Sequence, residues 1–176
     1  MSARKEVLVL LTACVALFPI AGMAASATVV RNYQFGNCAH PASSAANALV
    51  QVAVCNGADT QMWAAEYVDK GGYGTSGVAY FRLRNVQSRL CLDLQSATNA
   101  NGTKLVQKAC SNATTQQWTA PYTFTASGAV GKSEQTYQSF QNSFSGKCLD
   151  EPATGSGPLQ IWTCGSVDNQ QWFIAD

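Results

Sequence analysis

Lys147 to Trp172 reads KCLDEPATGSGPLQIWTCGSVDNQQW, and its markers return twice upstream at fixed intervals. Cys148 and Cys164 are followed by Gln170 and Trp172, Cys91 and Cys110 by Gln116 and Trp118, and Cys38 and Cys55 by Gln61 and Trp63. The second Cys stands eight residues before the Trp in every copy, and successive Trp residues are 55 and 54 apart. An Asn falls six residues before each first Cys, at Asn32, Asn85 and Asn142. Chance does not hold four positions in register three times. Units of this period bury their apolar faces only against one another, and three are enough to close a core.

The 176 residues suffice for one domain with its own core and are too few for two once the N-terminus is set aside. Residues 1–27 read as a secretory leader: Arg4 and Lys5 form a positive n-region, Val7 to Ile20 an apolar h-region, and Ala25-Ser26-Ala27 a small-x-small cleavage site. The mature chain, residues 28–176, then starts near Thr28, with a cut after Ala24 or Ala25 fitting nearly as well. Leu11-Thr12-Ala13-Cys14 also resembles a bacterial lipobox, so a membrane partner is expected only if Cys14 is lipidated. The apolar stretch before Cys14 is short and Val15 to Ile20 stays apolar after it, which favours the cleaved, secreted form.

Removing Arg4, Lys5 and Glu6 with the leader from the eleven basic and ten acidic residues leaves nine of each. A neutral chain has no basic face for a phosphate backbone, so nucleic acid is not an expected partner. Seven Cys less Cys14 leaves six, two per repeat. An even set in a secreted chain reads as a disulfide framework. The repeat favours pairing within copies, Cys38 with Cys55, Cys91 with Cys110 and Cys148 with Cys164, each bridge contributing roughly 3 kcal/mol on the chain-entropy account. Zinc is a poor alternative: there is no Cys-x-x-Cys, and His40 is the only His. No metal or cofactor is expected.

Along the chain, Val29 and Val30 open a strand, and Tyr80 to Arg84 alternates ring or aliphatic with charge as a half-buried strand does. Asn101-Gly102 predicts a tight hairpin turn before Lys104-Leu105-Val106. Ala65 to Gly77 and Pro121 to Glu134 read as connectors between repeats of about 28–72, 78–127 and 134–176. No segment of the mature chain has helical periodicity. Many short strands between turn signals predict an all-β architecture, which a threefold repeat closes naturally into a barrel.

Cys-Leu-Asp at Cys91 to Asp93 and Cys148 to Asp150, together with Gln-x-Trp three times, resembles the ricin B-type lectin repeat, also called the carbohydrate-binding family 13 module. The resemblance covers the whole mature chain. It implies a β-trefoil of three repeats with pseudo-threefold symmetry, up to one shallow sugar site per repeat, and glycans of galactose or xylan type as partners.

A neutral pyranose offers a C–H face that suits an aromatic ring, and hydroxyls that need directed acceptors and donors. A carboxylate is the strongest acceptor for vicinal hydroxyls. The third repeat supplies every part: Asp150 as acceptor, Trp162 as platform, Gln160 and Asn169 as polar groups, and Gln170 beside them. The same offsets in the second repeat give Asp93 and Gln116, but Val106 for Gln160, Lys108 for Trp162 and Thr115 for Asn169, so only a weak second site is expected there. The first repeat has His40, Ala53 and Thr60 at these positions, with only Gln51 and Gln61 kept, and reads as structural. Trp63, Trp118 and Trp172 read as core wedges, while Trp162 has no structural counterpart.

The expected function is therefore a secreted, non-catalytic lectin with one competent site. The alternative is a protein-interaction module, such as the cell-binding subunit of a multi-component toxin. A glycoside hydrolase needs two carboxylates flanking a cleft, and the only adjacent pair, Asp150 and Glu151, points to opposite faces if both lie on a strand.

Overall fold

The computed structural model describes residues 27–68, 79–126 and 135–175. The leader, with Cys14, lies outside the described residues, except that Ala27 opens the first strand.

Twelve strands follow in order: β1 Ala27–Asn32, β2 Asn37–Pro41, β3 Val50–Val54, β4 Met62–Val68, β5 Tyr80–Asn85, β6 Cys91–Leu94, β7 Leu105–Lys108, β8 Trp118–Ala126, β9 Gln135–Asn142, β10 Cys148–Asp150, β11 Gln160–Trp162 and β12 Trp172–Ala175. Antiparallel pairing runs β1 to β4, β4 to β5, β5 to β8, β8 to β9, β9 to β12 and β12 back to β1. These six strands close a barrel, which leaves its members no free edge. The hairpins β2–β3, β6–β7 and β10–β11 branch from β1, β5 and β9. Each repeat thus gives two strands to the barrel and one hairpin, which makes a β-trefoil.

Period-2 patterning places the core. In β5, Phe81 and Leu83 point inward while Tyr80, Arg82 and Arg84 stay partly exposed. Trp63, Trp118 and Trp172 are at most 1% exposed and pack with Phe81, Phe140, Leu94, Leu105 and Leu149. The Trp63 and Trp172 indole N–H groups donate to Ala39 O at 2.9 Å and Leu149 O at 3.0 Å, pinning each hairpin to the barrel. The buried Trp118 indole nitrogen has no such partner among the described residues.

The registered Asn ties one repeat to the next. Asn32 donates to Asn169 O, Asn85 to Thr60 O and Asn142 to Thr115 O, at 3.0, 2.8 and 2.9 Å. Each side-chain oxygen accepts two backbone N–H groups of the turn that follows, Gln34 and Phe35, Gln87 and Ser88, and Phe144 and Ser145. One short amide therefore closes a local turn and a repeat boundary together, and the three boundaries form a ring. The disulfides join Cys38 to Cys55, Cys91 to Cys110 and Cys148 to Cys164, each with Cα atoms 5.0 Å apart, as the repeat predicts.

Two expectations about the connections need correction. β4 extends to Val68 and β8 runs through Pro121 to Ala126, so the connectors begin later than Ala65 and Pro121. Pro121 is accommodated because the β8–β9 register shifts between Thr119 and Tyr122, where a ladder hydrogen bond is not required. Asn101-Gly102 forms a turn, with Gly102 at φ 85°, but it is not the two-residue end of a hairpin: β6 and β7 are last paired at Leu94 and Leu105. The loop between them instead lies along β11, with Gly102 N donating to Ile161 O and Ile161 N to Thr103 O, both 2.9 Å.

That docking recurs around the threefold. Leu49 bridges Val106, Lys104 bridges Gln160, and Pro158 bridges Gln51, so each hairpin loop rests on the hairpin of the next repeat.

Candidate functional site

The β10–β11 register sets Asp150 opposite Gln160 and Cys148 opposite Trp162. Directly paired residues share a face of an antiparallel hairpin, as do positions two apart along a strand. Asp150, Gln160 and Trp162 therefore share one face, while Leu149 and Ile161, both fully buried, turn to the core on the other. A single 3-10 turn at Asp168–Gln170 then carries Asn169 and Gln170 to the carboxylate.

Asp150 is the hub. Gln160 Nε2 donates to Oδ1 at 2.8 Å, and Asn169 Nδ2 and Gln170 Nε2 donate to Oδ2 at 2.9 and 3.0 Å. Three amides on a carboxylate that is only 4% exposed offset much of the cost of burying the charge. All five residues expected from the sequence thus meet in one place, but they do different work. Asn169 Nδ2 also donates to Glu151 O at 2.8 Å, and Gln170 Nε2 to Thr163 O at 3.1 Å, so both hydrogens of each amide are used inside the protein. Those two residues hold Asp150. Capacity toward a ligand lies with Asp150 Oδ1, the second hydrogen on Gln160 Nε2, and the Trp162 ring, which is 43% exposed. Gly102 lies beside that ring: a Cβ added there would sit 3.7 Å from it, so the neighbouring loop flanks the platform.

Gln170 has a second duty that explains why its counterparts persist. Gln61, Gln116 and Gln170 accept Asn56, Ser111 and Gly165 N–H groups through Oε1, at 2.8, 2.8 and 2.9 Å. They donate to Val54, Ala109 and Thr163 carbonyls. The Gln of Gln-x-Trp clamps the loop beyond the second Cys in every repeat, whatever happens to the sugar positions.

In the second repeat Asp93 faces Val106, and among the described residues one amide, Gln116 Nε2, donates to its carboxylate, at 2.9 Å to Oδ2. Oδ1 is buried without a partner among the described residues. Lys108 folds inward, its Nζ donating to Leu94 O at 2.7 Å and Gln95 O at 3.3 Å and standing 3.9 Å from Asp93 Oδ2. The residues of the expected weak second site, Asp93, Lys108 and Gln116, thus come together, yet Lys108, which stands where the third repeat has Trp162, is engaged by the protein. In the first repeat His40 pairs with Gln51 and Cys38 with Ala53, so an imidazole and a methyl stand where the third repeat has its carboxylate and its ring.

Two charged residues beside the third-repeat site have roles that the sequence did not indicate, Glu151, weighed there only as a partner of Asp150 in hydrolysis, and Lys104. Glu151 leaves β10 and is fully buried, with Oε1 accepting from Asn37 Nδ2 at 2.9 Å and Oε2 without a partner among the described residues. Burial raises its carboxyl above the ordinary value, the Asn37 bond lowers it in part, and the nearby Asp150 charge adds to the rise. Lys104, from the second repeat, donates from Nζ to Gln160 Oε1 at 2.8 Å. Spacing marks its position, since Leu49, Lys104 and Pro158 each stand six residues before the second Cys of their copy, but not the hairpin it reaches.

Comparison with known proteins agrees with this architecture. The family described as "Ricin-type beta-trefoil lectin domain" matches residues 79–176. No curated protein matches the sequence. Among solved structures, the designed 3-fold symmetric protein ThreeFoil is 23% identical, with a TM-score of 0.69, over 85% of this chain and 98% of that one. An exo-beta-1,3-galactanase from Clostridium thermocellum is 20% identical, with a TM-score of 0.67, over 89% of this chain but 31% of the enzyme. The hemolytic lectin CEL-III is 18% identical, with a TM-score of 0.67, over 87% of this chain and 33% of its own. The chain described here thus spans about a third of the galactanase and of the hemolytic lectin.

Proposed function

The chain belongs to the family of ricin-type β-trefoil lectin domains, and from that premise we propose that it binds glycans through one site, in the third repeat, without a catalytic step. Carbohydrate binding is the character of the family; the single site is carried by Trp162. This ring is exposed beside a carboxylate oriented by three amides, at a position that is Ala53 and Lys108 in the other repeats.

On this reading Trp162 stacks on the C–H face of a sugar while Asp150 Oδ1 and Gln160 Nε2 accept from and donate to adjacent hydroxyls. Asn169 and Gln170 act by holding the carboxylate in place. A hydrolytic role is disfavoured because Glu151, the carboxylate next to Asp150, is buried and bonded to Asn37 rather than set across a cleft from it. Export from the cytoplasm is proposed as well: three disulfides suit an oxidising compartment. One shallow site without avidity implies weak affinity for a simple sugar, with galactose-type and xylan-type glycans the first to try.

A glycan array with calorimetric stoichiometry tests the reading. Binding of one sugar per chain, lost in Trp162→Ala with melting unchanged, supports it. Binding that survives this substitution, or two to three sugars per chain, places recognition in the other repeats. Co-purification with a partner protein and no glycan signal favours an interaction module instead.

A further inference from the structure

We propose that Lys104, supplied by the second repeat, is a specificity residue of the third-repeat site and makes it select glycans that carry an acidic group. The inference rests on the single-site reading above and names the class of sugar.

Three bridges related by the threefold make the argument, since each places one loop residue beside the hairpin position that Gln160 holds in the third repeat. The pairs are Leu49 with Val106, Lys104 with Gln160, and Pro158 with Gln51. Leu and Pro serve two of these junctions, so docking a loop there needs no charge. The ammonium appears only at the junction facing the repeat with the ring and the amide-held carboxylate.

Directly paired residues share a face, so Asp150, Gln160 and Lys104 form a row across β10, β11 and the docked loop. Lys104 Nζ donates to Gln160 Oε1 at 2.8 Å, and Gln160 Nε2 donates to Asp150 Oδ1 at 2.8 Å. The carboxylate only accepts, so Asp150 by itself fixes which end of the Gln160 amide faces it, and Lys104 takes up the other end. An ammonium has three donors, and this bond uses one. Among the described residues no carboxylate lies within ion-pair distance of Nζ; the pairs present join Arg82 and Arg84 to Glu66 and Lys108 to Asp93. Lys108, at the ring position of the second repeat, is by contrast bonded to Leu94 and Gln95 carbonyls.

The row thus presents an acceptor at one end and a cation without a counter-ion at the other, flanked by an exposed ring. A sugar whose hydroxyls reach Asp150 brings its far substituents toward Lys104. A carboxylate there adds the attraction of an ion pair to the bond that a neutral hydroxymethyl would also accept from the ammonium. Uronic and sialic acids carry such a group, and a sulfate ester offers the same chemistry.

The test uses pairs of glycans that differ by one acidic sugar, such as lactose against sialyllactose and xylo-oligosaccharides against the same chains bearing a glucuronic acid branch, each acidic member also compared with its carboxyl-reduced form. Binding is measured for the wild type, Lys104→Met, Lys104→Arg and Trp162→Ala. The expected result is about tenfold preference for the acidic member of at least one pair. That preference should weaken with salt, vanish in Lys104→Met with neutral binding retained, and return in Lys104→Arg. Equal binding of both members by the wild type, or a preference that survives Lys104→Met, overturns the assignment of Lys104 and leaves the single-site reading standing. Loss of neutral and acidic binding alike in Lys104→Met shows a positioning role through Gln160 and also overturns it. Absence of binding to every glycan, or undiminished binding by Trp162→Ala, defeats the single-site reading and this inference together.

Discussion

The second and third repeats share a hairpin, a disulfide, a Cys-Leu-Asp and a Gln-x-Trp, yet they treat the same carboxylate in opposite ways. Asp150 receives three amide N–H groups, whereas Asp93 receives one and keeps a buried oxygen without a partner among the described residues. The difference comes down to two positions, Gln160 against Val106 and Asn169 against Thr115. A retained Asp is therefore no sign of a retained site. What distinguishes a working hairpin is the set of amides that orients the carboxylate and a ring left outside.

The comparison breaks most visibly at the carboxylates themselves. Asp150→Ala strips the acceptor from three amides, so it is expected to abolish glycan binding and to lower unfolding free energy by at least about 3 kcal/mol in chemical denaturation. Asp93→Ala removes one such bond together with an orphaned oxygen and should cost under about half as much, with binding intact. Equal losses at the two positions would mean that the carboxylates do the same structural work.

Trp162→Ala comes next. It should weaken binding by about 30-fold or more, through lost ring contact, while stability stays within about 0.5 kcal/mol because the ring is largely outside the core. Lys108→Ala, at the equivalent position, should leave binding unchanged on the same array.

The comparison is sharpened by rebuilding the second repeat. Val106→Gln, Lys108→Trp and Thr115→Asn together should raise the calorimetric stoichiometry from one sugar per chain to two, because Asp93 Oδ1 already lacks a donor that Gln at 106 would supply. A stoichiometry that stays at one in a folded variant would show that the loop over the hairpin, Leu49 there and Lys104 in the third repeat, matters as much as the amides.

The smallest effect concerns pH. Since the folded state holds the Glu151 proton more tightly, its contribution to stability is fully present below the ordinary value of 4.5 and is lost as pH rises through the folded value. The stability of Glu151→Gln relative to wild type should therefore grow as pH rises above the ordinary value of 4.5, whatever its offset. A difference that does not vary with pH would mean that the carboxyl is not strained by burial.

What could be read in the sequence was whatever the repeat holds in register. The disulfide pairing, the buried Trp63, Trp118 and Trp172, and the meeting of Asp150 with Gln160, Asn169 and Gln170 all follow from offsets within one copy. Roles that depend on a neighbouring copy did not appear. Asn32, Asn85 and Asn142 were visible as a pattern, but that each bridges to the preceding repeat is a fact of closure. Lys104 likewise sits in one repeat and acts on another, and no spacing within a copy shows which hairpin a loop will rest on. The strands β4 and β8 outlast the residues that read as punctuation because pairing of Ala65 to Val68 with β5, and of Tyr122 to Ala126 with β9, outweighs local preference.

Asn32 donates to a carbonyl 137 residues away along the chain, at the boundary where β12 meets β1. The other two boundaries are spanned by Asn85 and Asn142 over 25 and 27 residues. Bringing distant segments together costs more chain entropy than closing a short loop, and topologies rich in distant pairings fold slowly, in milliseconds to seconds. The three boundaries are therefore alike in geometry and unequal in time: two can form while each repeat is still joining its neighbour, and the third must wait for both. Assembly becomes a chain of local steps ending in one long-range event, and the disulfides, each spanning 16 to 19 residues, can be in place before it happens.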